Sequence, residues 1–177
     1  MREWKSDTTD LVVPIAAVPN SPTSGLTSYA TLGLSRFDNS FTTAGGQPLR
    51  VEFLLVAAIG NTFAENGLGN CALNVATGDY RARPGAIYPN VFAGYSDSVT
   101  TPHGLLWYSY SWGDDFDALD LEVGHVEWLQ IVPITTQELD FVALNGPGFE
   151  GEGVEKLLEA FEAAETVMWD FSRGSAV

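Results

Sequence analysis

Val126-Glu127-Trp128-Leu129-Gln130-Ile131-Val132-Pro133-Ile134-Thr135-Thr136-Gln137-Glu138-Leu139 is the stretch on which the fold turns. Residues 126–134 are largely apolar, as in a strand covered on both faces. Thr135 stands three residues before Glu138, the spacing of a capping box. In that motif the threonine oxygen accepts the Glu138 amide while the carboxylate accepts the Thr135 amide. A helix over 136–144 is therefore predicted, stopped by Asn145-Gly146-Pro147. The passage holds no nucleophile, phosphate-binding loop or metal-ligand cluster, so it points to a protein that works by its surface.

Downstream, Val154, Leu157, Leu158 and Phe161 fall at i, i+3, i+4 and i+7, the apolar stripe of a second helix. Residues 167–171 are expected to add a short final strand. Upstream, residues 10–18 form an apolar run broken by Pro14, which suits an edge strand where a missing N–H is tolerated. Residues 29–35 read as a short strand. Residues 49–59 alternate at first and then turn wholly apolar, as in a central strand. Phe63, Leu68, Cys71, Ala72, Val75 and Ala76 have helical spacing over 61–77. Gly67 and Gly69 each cost about 1 kcal/mol inside a helix, and whether they break it stays open. Residues 81–102 are a long connection, 104–112 an aromatic strand, and 113–124 an acidic loop.

With 177 residues the chain is read as one domain, 1–177. Eight Lys plus Arg face 23 Asp plus Glu, a net charge of −15. That field disfavours nucleic acid and anionic membrane and attracts basic partners, although it also serves solubility alone. The single cysteine, Cys71, rules out an intrachain disulfide framework. The charged start carries no apolar leader, and no apolar run is long enough to span a bilayer, so a reducing cytoplasm is the expected compartment. The oligomeric state is not legible.

Several near-motifs lead nowhere. Gly67-Leu68-Gly69-Asn70-Cys71-Ala72 has the form of a dinucleotide fingerprint, but that motif must follow a strand directly. Gly94-Tyr95-Ser96-Asp97-Ser98 lacks the second glycine of a nucleophile elbow. His103 and His125 stand apart and read as structural. Asp115 and Asp117 alternate as in a calcium loop, but Leu119 and Leu121 break the series and the mid-loop glycine is missing. Cys71 lies among apolar helix positions and reads as a small buried hydrophobe. No catalytic residue, metal site or cofactor is expected. In 107–112, alternation sets Tyr108, Tyr110 and Trp112 opposite Trp107 and two serines, either as core or as an exposed aromatic patch.

The stretch from Val126 to Thr135, followed by Glu138-Leu139 and Asn145-Gly146, resembles the Suppressor of fused (SUFU) domain family, particularly its single-domain bacterial members. Asp170-Phe171-Ser172-Arg173 resembles the family's close. Tyr29-Ala30-Thr31-Leu32-Gly33-Leu34-Ser35, Arg50-Val51-Glu52-Phe53-Leu54-Leu55 and His103-Gly104-Leu105-Leu106 match its earlier pieces in order. The likeness runs over about 27–173 and covers only the core domain, without the second domain of the animal regulator. It implies an α+β fold, a mixed and largely antiparallel sheet with helices packed against it.

The resemblance also implies a non-enzymatic protein-binding module. Many bacterial members look like immunity proteins that neutralise a polymorphic toxin by binding it, and an acidic surface suits a basic, nuclease-like toxin. The alternative is a regulatory or scaffold module that clamps a peptide of a non-toxin partner. In either case Asp114, Asp115, Asp117 and Asp120 are the expected contact residues.

Overall fold

The computed structural model describes residues 1–5, 10–148 and 151–177. In chain order the elements are β1 (Arg2–Lys5), β2 (Val12–Pro19), β3 (Leu26–Thr31), β4 (Phe41–Thr42), β5 (Pro48–Ala58), α1 (Ala64–Ala76), β6 (Ile87–Tyr88), β7 (His103–Tyr108), β8 (Leu119–Leu121), β9 (Gly124–Ile134), α2 (Thr136–Leu144) and α3 (Gly153–Ala163). This is an α+β protein with a mixed, mostly antiparallel sheet and helices packed against it. The chain divides into two compact units, one of residues 1–82 and 108–130, the other of 83–107 and 131–177.

In the first unit the strand order is β1-β2-β3-β5-β9, with β4 beside the start of β5 and β8 beside the start of β9. Within it β1–β2, β2–β3, β3–β5, β4–β5 and β8–β9 pair antiparallel, and β5 pairs with β9 in parallel. Residues 51–57 of β5 are all buried, which is why this strand reads as a continuous apolar run. Helix α1 lies against β2, β3 and β5. Its start is capped by Asn61, whose Oδ1 accepts the amides of Phe63 (3.0 Å) and Ala64 (2.7 Å).

α1 runs unbroken through both glycines. A Cβ on Gly69 would lie 2.3 Å from the Trp4 ring, so the glycine makes room for β1's tryptophan. β2 is an interior strand and not the edge expected from Pro14, because β1 pairs with it, Glu3 opposite Pro14. The proline is tolerated at the end of the β2–β3 ladder, where its carbonyl still accepts the Leu32 amide at 2.9 Å. β3 begins and ends earlier than the alternation suggested. After it, residues 33–35 wrap around the buried carboxylate of Glu52. That group accepts from the Thr31 and Ser35 hydroxyls (2.6 and 2.8 Å) and from the amides of Gly33 (2.9 Å), Leu34 (3.2 Å) and Ser35 (3.0 Å).

In the second unit β6 pairs with β7, β7 neighbours β9, and α2 and α3 pack together. Leu105, Val132, Ile134, Val142, Val154, Leu157 and Phe161 form one buried cluster, which absorbs the helical stripe of α3. The capping box is complete: Thr135 Oγ1 accepts the Glu138 amide (3.1 Å), and Glu138 Oε2 accepts the Thr135 amide (2.8 Å). Residues 167–171 form turns and not a strand. Phe171 is instead held edge-on to Phe92, ring centroids 4.9 Å apart, and its carbonyl accepts the Thr100 amide at 2.9 Å.

Candidate functional site

The acidic stretch from Gly113 to Gly124 is not a single loop. It is a short 3-10 turn, Gly113–Phe116, followed by β8 and a hairpin into β9. Leu119 faces Val126, Asp120 faces His125 and Leu121 faces Gly124, so Glu122 and Val123 form the connecting turn. Gly124 has φ 131, and a Cβ there would sit 2.3 Å from the Pro48 carbonyl oxygen. Only glycine lets β9 start this close to the backbone of β5. Arg50 of β5 fixes the turn from the other side, its Nε donating to the Val123 carbonyl at 3.1 Å. Its Nη1 lies 3.3 Å from Asp38.

The segment leading into the hairpin is anchored by side chains. Gln130 Oε1 accepts from the Ser111 hydroxyl at 3.0 Å and from the Ser111 amide at 3.4 Å. Ser109 donates to the Phe116 carbonyl at 3.2 Å, and Trp112 Nε1 donates to Ser28 at 3.0 Å. The Phe116 ring stands edge-on to both Trp112 (5.4 Å) and Trp128 (5.0 Å). The expected alternation over 107–112 ends with β7 at Tyr108; beyond it Trp112 serves this anchor while Tyr110 is exposed.

Of the four expected contact residues, Asp120 is exposed on β8 and Asp117 is exposed just before it. The backbones of Asp114 and Asp115 belong to the 3-10 turn, and their side chains lie outside the described residues. Sequence reasoning missed the apolar component. Leu119, Leu121 and Val123 are all exposed on the hairpin, the two leucines on the face of β8 opposite Asp120, and Tyr108 and Tyr110 are exposed as well. The two leucines were legible only as interruptions of a calcium pattern, although their alternation with acidic residues is a strand signal. A short hairpin that exposes both apolar side chains and carboxylates is suited to protein contact.

His125, read from the sequence as structural, and Glu127 meet at this hairpin, a contact the sequence did not show. The ring of His125 spans two carboxylates, Nδ1 lying 2.8 Å from Asp120 and Nε2 lying 3.2 Å from Glu127. The Asp120 bond, aided by Glu127, raises the histidine pKa against its partial burial. Burial raises the Glu127 pKa, and the histidine partly offsets it.

His103 is buried, accepts the Asn90 amide at Nδ1 (2.9 Å) and donates from Nε2 to Thr136 (3.2 Å), and burial lowers its pKa. Ser96 is exposed on a turn, its hydroxyl 2.9 Å from that of Ser98. Cys71 is fully buried, and desolvation pushes its thiol far up, which suppresses the reactive thiolate. The Gly67 to Ala72 run lies within α1 and not in a turn after a strand. Among the described residues, no group of three or more His, Cys, Asp and Glu is placed to hold a metal ion. No helix among them is long and apolar enough to cross a membrane.

Comparison with known proteins agrees with the fold. The sequence model of the family described as Suppressor of fused protein (SUFU) matches residues 9–174. Immunity protein YqcF of Bacillus subtilis (strain 168) is 28% identical over 175 residues, covering 99% of this chain and 87% of the relative. The crystal structure of a SUFU homolog from Neisseria gonorrhoeae FA 1090 superposes with a TM-score of 0.62 at 17% identity, over 93% of this chain and 88% of that one. Drosophila Suppressor of Fused gives 0.59 at 16% identity, over 93% of this chain but 42% of its own length. A chain of the Sufu–Fu complex gives 0.55 at 18% identity, over 84% of this chain and 68% of that one.

Proposed function

This chain belongs to the Suppressor of fused family, and from that premise we propose that it is an immunity protein, a non-enzymatic module that neutralises a cognate toxin by binding it. The observation that carries the reading is the similarity to Immunity protein YqcF along nearly the whole chain. The charge of −15 supports a basic toxin, because opposite fields speed encounter and suppress wrong partners. In this reading the contact surface is the β8–β9 hairpin together with the 3-10 turn that precedes it. Asp114, Asp115, Asp117 and Asp120 supply the charge, and Leu119, Leu121 and Val123 supply the apolar area. The complex forms in the cytoplasm that hosts both proteins.

The test is co-expression with the product of the neighbouring reading frame. A neighbour that is toxic alone and silenced in a stable complex with this protein supports the reading. A neighbour that is harmless, or that stays toxic without binding, removes it. Recovery of a non-toxin partner bound through a peptide segment would favour the regulatory alternative.

A further inference from the structure

His125 makes a demand that two carboxylates cannot both satisfy at every pH. Its Nδ1 is 2.8 Å from Asp120 of β8 and its Nε2 is 3.2 Å from Glu127 of β9. An ionised carboxylate only accepts hydrogen bonds, and a neutral imidazole has one N–H and one lone pair. Both contacts are therefore good hydrogen bonds only when the ring carries two protons. We propose that His125 is a proton-dependent clasp on the β8–β9 hairpin. As the imidazolium it ties Asp120 to Glu127 and closes β8 onto β9, and on losing its proton it releases Asp120 and loosens β8.

The surroundings favour this assignment. Among the described residues, the two side chains hydrogen-bonded to the ring are both acidic. On β5 the residue opposite His125 is the apolar Leu49. The next residue, Arg50, points to the other face of the sheet, where it serves the Val123 carbonyl and Asp38. Tyr108 senses the charge of Glu127, and burial with that charge raises its hydroxyl pKa, so it stays neutral here. Glu122 lies in the exposed turn.

When the ring loses a proton, one N–H remains for two acceptors. Asp120 has 70% of its side chain exposed and exchanges the contact for water at little cost. Glu127 has only 17% exposed and needs the remaining donor. Asp120 is thus the contact given up. β8 has three residues and pairs only with β9 among the described residues, so this clasp is a large part of what holds it. The proposal concerns the free protein and stands whether or not the immunity reading does.

The test is a pH titration of the full chain by NMR, following the histidine ring nitrogens and the amides of Leu119, Asp120 and Leu121. The expected result is that His125 carries both protons through mildly acidic pH and titrates above the ordinary imidazole value, while His103 titrates below it. The three β8 amides shift with the His125 midpoint, and their hydrogen exchange speeds several-fold above it. In Asp120→Asn the ring midpoint falls and the β8 amides stop following it. In His125→Gln exchange at β8 is fast and independent of this titration. A His125 that titrates at or below the ordinary value overturns the proposal, and so do β8 amides that ignore its titration.

Discussion

Arg173 grips Glu138 with both terminal guanidinium nitrogens, Nη1 to Oε1 at 2.6 Å and Nη2 to Oε2 at 2.9 Å, and both side chains are buried. The same carboxylate accepts the amides of Thr135 (2.8 Å) and Ala176 (3.0 Å). Arg173 also donates to the Pro133 carbonyl at 2.9 Å and lies over the Phe161 ring at 4.9 Å. The end of β9, the start of α2, the α3 core and the last residues thus meet at one ion pair. Arg173→Met leaves a buried carboxylate without its cation and is expected to cost about 3–5 kcal/mol in denaturant unfolding. Glu138→Gln can keep the cap through its amide oxygen but leaves the guanidinium without its counter-charge, and is expected to cost a similar amount. A loss below about 1 kcal/mol for either would show that the pair is not held as described.

A second buried carboxylate, that of Glu52, is held by neutral donors. Glu52 is satisfied by three amides and two hydroxyls from Thr31 and the turn that follows β3. Glu52→Gln turns an NH2 group toward donors and is expected to destabilise the protein by about 2–3 kcal/mol. Thr31→Val also removes the bond that Thr31 accepts from the Phe53 amide at 2.8 Å, and is expected to cost about 1–3 kcal/mol. Because the two residues share a bond, the double variant should lose less than the sum, and strict additivity would argue against the network.

Gly69 tests the packing of β1 on α1. Gly69→Ala gains helix propensity of about 1 kcal/mol but drives a methyl into the Trp4 ring. The clash is expected to prevail, with a net loss of about 1–3 kcal/mol. In a Trp4→Ala background the same change should become neutral or stabilising. A loss unchanged by removal of the tryptophan would place the strain elsewhere.

What the sequence makes legible follows from which interactions are local. The apolar run of β5, the β9 strand with its cap, and the stripe of α3 each announce themselves through periodicity or a motif a few residues long. β1 does not, because Arg2, Glu3 and Lys5 are exposed and only Trp4 is seated, against a glycine 65 positions away. Pro14 misled because its tolerance depends on where β3 ends. At the candidate site, the alternation of 119–121 was available but drowned by charge. The Asp120–His125–Glu127 bridge required the hairpin register, which no composition reveals. Arg173 and Glu138 both stood inside passages that resemble the family, yet nothing in the chain says that they touch.

The His125 bridge sets a direction for stability against pH. The folded pKa of His125 is raised, so its contribution is fully present below the unfolded value of about 6.5 and is lost as pH rises through the folded value. Burial raises the Glu127 pKa and His125 partly offsets it, so removing the ring makes Glu127 harder still to ionise. Wild-type stability measured against His125→Gln should therefore show its advantage at mildly acidic pH and lose it toward alkaline pH. An advantage that grows with pH would contradict the imidazolium bridge.

The last prediction concerns binding. If the hairpin is the contact surface, Asp117→Lys with Asp120→Lys inverts two exposed charges without touching the core. Exposed charges at an interface rim act on encounter more than on dissociation. The association rate with a basic partner should fall by about tenfold at low salt, and the wild-type rate should drop steeply as salt is added while the variant's does not. Leu119→Ser with Leu121→Ser removes apolar area and should instead speed dissociation, leaving the salt dependence intact. The two pairs separate steering from anchoring. Because Asp120 also holds His125, the charge variant is compared with Asp117→Lys alone, which leaves the bridge in place and should retain roughly half of the logarithmic loss. Variants that bind and protect like wild type in both series would move the contact surface off this hairpin.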